Sequence, residues 1–338
     1  MQIFLTVLNP MLVLFLCMAI GFILCKTKIL PLDAGKVMAK LITWVFSPAI
    51  TFYSMSIYCT VDNLIIGGSY IYVSAIGVVL ALAIAIPLSF VFVRKKSYDR
   101  GVYQYALTFA NSSYVGDPVV LALFGLEGLF WYKIACLPIQ LVIYTWGISI
   151  LVVKREGEKQ NPLKTLLNAP MVATLVGIIV GLLGFGEVLI IKDGVNTFLG
   201  STLDGLKSCF GPVAMLLAGF TVARFDIKKM LKNKSVYIAT FLRLIVIPIV
   251  LISALYGVML LSNILFDMKV DTFVLFMLFF ALAAPLGLNT VIFPEAFGGD
   301  PSTGASMALV SHTLCVITIP IMFSLMCAVF GVPTQMIV

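Results

Sequence analysis

Charged side chains are scarce in this sequence: only 11% of its 338 residues are Asp, Glu, Lys or Arg. Soluble domains carry about 25%, so too few remain here to cover a surface facing water. Histidine occurs once, as His312, and the seven cysteines show no CxxC pair. A clustered metal site needs several such ligands at short spacing, so neither a metal nor a cofactor is expected. HExxH, GxSxG and paired catalytic aspartates are also missing from the apolar segments, which argues against an intramembrane enzyme.

What is present is apolar. Hydrophobic residues make up 61% of the chain, and the mean hydropathy is +1.12. The solvent around such a chain is the lipid bilayer, where each spanning backbone must satisfy its own hydrogen bonds. The apolar runs are about 20 residues or longer, which predicts helices and not barrel strands. The formal charge of +7 is spread as short basic clusters between these runs. That pattern belongs to juxtamembrane loops, and no nucleic-acid partner is expected. The first 25 residues, without a basic leader or a small-residue cleavage site, read as a retained helix.

Ten spans are expected, at about 3–25, 37–58, 66–93, 102–125, 129–153, 168–186, 195–223, 235–261, 272–297 and 303–330. The first, third, fifth and seventh loops hold 17 of the 22 Lys and Arg residues, including Lys26, Arg94, Lys154 and Arg224. By the positive-inside rule these loops are cytoplasmic, which puts both termini outside the cytoplasm of a cell membrane.

The two halves share a register. Pro10 precedes Gly21 by eleven residues and Pro170 precedes Gly181 by eleven; Pro48 precedes Asp62 by fourteen and Pro212 precedes Asp226 by fourteen. Residues 1–153 thus form a first five-helix repeat, 154–167 a cytoplasmic linker, and 168–338 an inverted second repeat. Inverted repeats with interrupted helices are the mark of alternating-access transporters. Span 4 contains Asn111-Ser112-Ser113-Tyr114-Val115-Gly116-Asp117-Pro118, and span 9 contains Ala284-Pro285-Leu286-Gly287-Leu288-Asn289-Thr290. Proline and glycine interrupt a helix at membrane depth only where the freed backbone lines a cavity or packs in protein. Two half-helix N-termini meeting there would favour an anion, with Asn111 and Asn289 as added donors.

With these stretches, Asn168-Ala169-Pro170 followed by Gly177 and Gly181, and Gly211-Pro212-Val213-Ala214-Met215, the sequence resembles the auxin efflux carrier family in its bacterial branch. So does the segment from Pro285 through Asn289 to Glu295 and Asp300. The likeness implies an all-α membrane fold of ten helices, like that of bile-acid symporters. Helices 1, 2, 6 and 7 would form a scaffold, and 3–5 and 8–10 a transport domain with crossing helices 4 and 9. It also implies organic-anion substrates, such as dicarboxylates or auxin-like acids, and a homodimer. Carried over, the crossing residues are Asn111, Pro118, Pro285 and Asn289, with Gln140 on helix 5. Ser112, Gly116 and Gly287 complete the candidate binding set.

Two positions depart from the family: Asp117 stands where an apolar residue is usual, and His312 where a small hydroxyl residue is usual. Both are candidates for proton or ion coupling. Asp117 can also be read as a helix cap and His312 as a packing residue. Arg243 and Lys207 read as snorkelling residues near span ends, and Glu295 and Asp300 as solvated. The expected function is a carrier for a small organic anion, with proton coupling. A sensor of the same fold and a Na⁺-coupled symporter stand as alternatives.

Overall fold

A computed structural model describes residues 2–94, 97–151, 168–192, 194–297 and 299–337. The expected linker 154–167 and the basic pair Lys95 and Lys96 lie outside the described residues. The regular secondary structure of the described residues is helical apart from one short hairpin, in which Ile191–Lys192 pairs antiparallel with Val195–Asn196.

Seven described helices are long and apolar enough to cross a bilayer: Gln2–Lys26, Ala34–Tyr58, Val61–Phe92, Ser112–Leu151, Phe198–Ala223, Lys234–Phe266 and Ser302–Phe330. Two shorter apolar helices, Ala169–Leu182 and Phe273–Leu282, fall below that length. The ten expected spans therefore do not appear as ten long helices, for three local reasons. Spans 4 and 9 are interrupted, and the helix in span 6 is only 14 residues long. Spans 4 and 5 also run together in the 40-residue stretch Ser112–Leu151. A straight helix of that length would reach about 60 Å, twice the hydrocarbon core. The chain bends instead at Gly125, whose φ of 64° and ψ of −162° no other residue type adopts easily.

Among the described residues, four five-residue π-helical turns punctuate the helices, at Ile42–Phe46, Ser112–Gly116, Ile143–Gly147 and Leu242–Val246. Three of them end two residues before a proline: Pro48, Pro118 and Pro248. A proline has no N–H to return to the preceding turn, and a wider turn upstream absorbs the mismatch. Pro48 of the repeated sequence motif thus marks an irregularity of the backbone, whereas its counterpart Pro212 lies inside the continuous helix Phe198–Ala223.

Large apolar side chains face outward. Leu16 is 61% exposed, Val79 62% and Ile264 78%, as expected where lipid takes the place of water. The interior is held by close backbone approach. Gln2–Lys26 lies along Phe198–Ala223, and Ser47–Tyr58 along Ala169–Leu182. A Cβ on Gly21 would strike the Leu216 carbonyl, and one on Gly219 the Met18 carbonyl. This reciprocal contact is the small-residue packing that membrane helices use when lipid offers no hydrophobic drive.

Candidate functional site

The chain leaves its helix after Thr108, where Phe109 becomes extended with φ −107° and ψ 130°. In span 9 the helix Phe273–Ala283 ends at Ala284, also extended with ψ 169°, and a new helix starts at Asn289. The two breaks meet. Ala110 and Leu286 form an isolated antiparallel bridge. The Asn111 N–H donates to the Pro285 carbonyl at 2.7 Å, and the Gly287 N–H to the Phe109 carbonyl at 3.3 Å. Backbone groups freed by one break are thus satisfied by the other, which meets the demand of a dry interior. Gly287 fits because the Ala110 carbonyl lies close to where a side chain would begin.

Side chains fix the geometry further. The Asn111 carbonyl oxygen accepts from the Tyr114 N–H at 3.2 Å, capping the turn that follows. Its amide nitrogen lies 2.9 Å from Nε2 of His312, whose Nδ1 is 2.8 Å from the Ala308 carbonyl. Asn289 donates to the Tyr105 hydroxyl at 2.8 Å. Tyr132 donates to the Ser112 carbonyl at 2.8 Å, and its oxygen occupies the space a Cβ on Gly116 would need.

A cavity of about 100 Å³ opens beside the bridge. Among the expected binding residues, Asn111, Ser112, Gln140, Gly287 and Asn289 line it. Gly116, Pro118 and Pro285 do not: Gly116 lies under Tyr132, Pro118 abuts Gly211, and Pro285 supplies the bridging carbonyl. Thr43, Ser47 and Phe210 line it as well. No charged side chain lines the cavity among the described residues. Its polarity comes from amides, hydroxyls and the starts of two helical segments, where partial positive charge gathers. Several of the first N–H groups are already bonded, Tyr114 to the Asn111 side chain, Thr290 to Gly287 and Val291 to Leu288.

Asp117 and His312 sit behind this wall and do not line it. Asp117 is 1% exposed and accepts from Lys133 at 2.5 Å. The carboxylate meets an ammonium, a partner that neither the coupling reading nor the helix-cap reading of the sequence had supplied. Lys133 escaped the sequence reading because its partner is sixteen residues away across the bend at Gly125. A lone lysine inside an apolar run was the available signal.

Arg243 requires a correction. It does not snorkel at a span end: it is 1% exposed and reaches both breaks. Nε donates to the Ala284 carbonyl at 3.2 Å, and Nη1 to Leu107 at 3.0 Å and Thr108 at 3.4 Å. These carbonyls end the two half-helices that precede the bridge, where partial negative charge accumulates. Lys207 is also tied down, by Asp204 at 2.5 Å and by the Tyr53 ring 4.6 Å below it. Asp300 accepts from the N–H and hydroxyl of Ser302.

These features define a multi-pass helical membrane protein with a small uncharged polar cavity at two joined helix breaks. The model of a family described as "Membrane transport protein" matches residues 6–323, nearly the whole chain. The protein belongs to this family, the auxin efflux carrier family of membrane transporters. No curated protein matches the sequence.

Proposed function

We propose that this protein is a secondary carrier for a small organic anion, such as a mono- or dicarboxylate, bound at the cavity beside the Ala110–Leu286 bridge. The observation that carries the reading is the wall itself. Asn111, Ser112, Gln140 and Asn289 line it without a charged side chain, and helical segments begin at Ser112 and Asn289. Helix starts and amide donors attract a carboxylate while leaving it loosely enough held to be released.

In this reading the chain crosses the membrane ten times as two inverted five-helix repeats, 1–153 and 168–338, joined by 154–167. Broken helices 4 and 9 cross at the bridge. Helices 1, 2, 6 and 7 form a scaffold past which the crossing unit moves, the termini lie outside the cytoplasm, and two copies pair in the cell membrane. The pairing of Gln2–Lys26 with Phe198–Ala223 and of Ser47–Tyr58 with Ala169–Leu182 supports the scaffold. Proton coupling is assigned to the Asp117–Lys133 pair. A Na⁺-coupled reading is disfavoured because the carbonyl ends that hold a cation in such folds are taken by Arg243.

Thermal shift of the full chain in detergent, against acetate, benzoate and succinate with and without Na⁺, tests the function. Stabilisation by at least one carboxylate, lost in Asn289→Ala, is expected. Stabilisation by organic cations and by no carboxylate would reject the anion site.

A further inference from the structure

Three hydrogen bonds run in one direction from the cavity wall into the protein. The Ala308 carbonyl can only accept, so the His312 nitrogen 2.8 Å away, Nδ1, carries the proton. Nε2 is then a bare acceptor, and it faces the Asn111 amide nitrogen at 2.9 Å. The Asn111 oxygen in turn faces the Tyr114 N–H at 3.2 Å. Turning the Asn111 amide over would set its oxygen against the Nε2 lone pair and its NH₂ against the Tyr114 N–H, two repulsions at once. The ring therefore fixes which end of Asn111 is which. His312 is itself 2% exposed and outside the cavity lining, while Asn111 lines it.

We propose that His312 is a positioning residue: as a neutral Nδ1–H imidazole it locks the Asn111 amide so that its second N–H is offered to the cavity. A hydrogen-bond donor, and not a carbonyl oxygen, then meets the bound group, which selects carboxylate oxygens over cationic or donor-rich solutes. The inference deepens the carrier reading and rests on it for the identity of the ligand. The orientation of the side chains does not depend on that reading. It also gives His312 a role that requires the ring to stay neutral, so proton coupling falls to another group.

Because His312 is the only histidine, the full chain carrying ¹⁵N-labelled histidine gives a single pair of ring resonances. At neutral pH the expected spectrum shows a protonated Nδ1 and a bare Nε2, with the Nε2 resonance displaced in Asn111→Ala. An Nε2–H tautomer, an imidazolium, or an Nε2 signal indifferent to Asn111→Ala would overturn the proposal. Succinate affinity supplies the second readout. His312→Gln can present an oxygen to Asn111 and is expected to bind within about threefold of the parent. His312→Ala, without an acceptor, is expected to lose about tenfold or more. Equal losses in the two variants, or none in either, would likewise overturn it. If the parent binds no carboxylate, the carrier reading fails and the ¹⁵N spectrum alone decides the positioning role.

Discussion

Lys133 and Asp117 form an ion pair of 2.5 Å between two helical segments, with side chains only 7% and 1% exposed. Each charge would be expensive at this depth without the other. Removing one partner of a buried pair costs about 3–5 kcal/mol, whereas replacing both with apolar or neutral groups is often close to neutral. Lys133→Met is therefore expected to lower the melting temperature sharply in detergent, and Asp117→Asn combined with Lys133→Met to recover most of the loss. Equal stability of the single and double variants would show that the pair contributes no coupling.

Arg243 fixes the two broken helices to one cation. Arg243→Met leaves three carbonyls facing a dry interior and is expected to destabilise by about 3 kcal/mol. Arg243→Lys keeps the charge but not the fork, and should fall between the two. The vacated carbonyls resemble a cation site, so Na⁺ is expected to stabilise the Met variant and leave the parent unchanged at constant ionic strength. A melting temperature of the parent that rises with Na⁺ would restore the Na⁺-coupled reading.

Some of this site was legible in the sequence and some was not, for a physical reason. Proline and glycine act on their own backbone, so the interruptions around Asn111 and Pro285 could be read locally. The cavity lining by Asn111 and Asn289 followed from the same breaks, whereas Gln140 came only from the family resemblance. Pairings between distant segments left no local trace. Lys133 and Arg243 each appear as one charge in an apolar run, and only folding shows that one meets a carboxylate and the other three carbonyls. Tyr105, which accepts from Asn289, looked like any aromatic of an apolar helix. Ten spans were read from hydropathy, but a 40-residue stretch and a 14-residue helix show how poorly hydropathy fixes helix length.

Gly116 is required by a hydroxyl. Tyr132 occupies the position of its missing Cβ while donating to Ser112. Gly116→Ala is expected to cost about 1–3 kcal/mol through overpacking. Adding Tyr132→Phe should restore part of this by removing the clashing oxygen. A Gly116→Ala protein as stable as the parent would mean that the turn at Ser112–Gly116 yields more readily than its packing suggests.

Asn111 and Asn289 should matter to binding more than to folding. Each places an amide on the cavity wall, and loss of one buried hydrogen bond is worth about 1–3 kcal/mol. Asn111→Ala and Asn289→Ala are therefore expected to weaken succinate binding by roughly tenfold or more. Asn263→Ala, at an exposed position, serves as the control and should change nothing. Isothermal titration of the three variants checks the site, and similar affinities throughout would place the substrate elsewhere.

The final prediction concerns the proton. An anion entering a cavity lined by no cationic side chain among the described residues brings net negative charge close to the Asp117–Lys133 pair, which sits behind the wall. If binding recruits a proton to Asp117, linkage requires affinity to rise as pH falls, by up to about tenfold per pH unit for one proton. Asp117→Asn removes the titrating carboxylate while keeping its shape, and leaves Lys133 as an uncompensated cation. Its affinity is expected to be flat with pH, and higher than that of the parent at alkaline pH because the net local charge has become positive. A ligand whose own ionisation is complete, such as a small alkyl sulfonate, removes the trivial source of pH dependence. Measured from about pH 6 to about pH 8, profiles that fall in parallel for parent and variant would assign the proton to a group other than Asp117. A parent that is flat over the same range would leave the pair as a structural lock and the carrier without proton coupling.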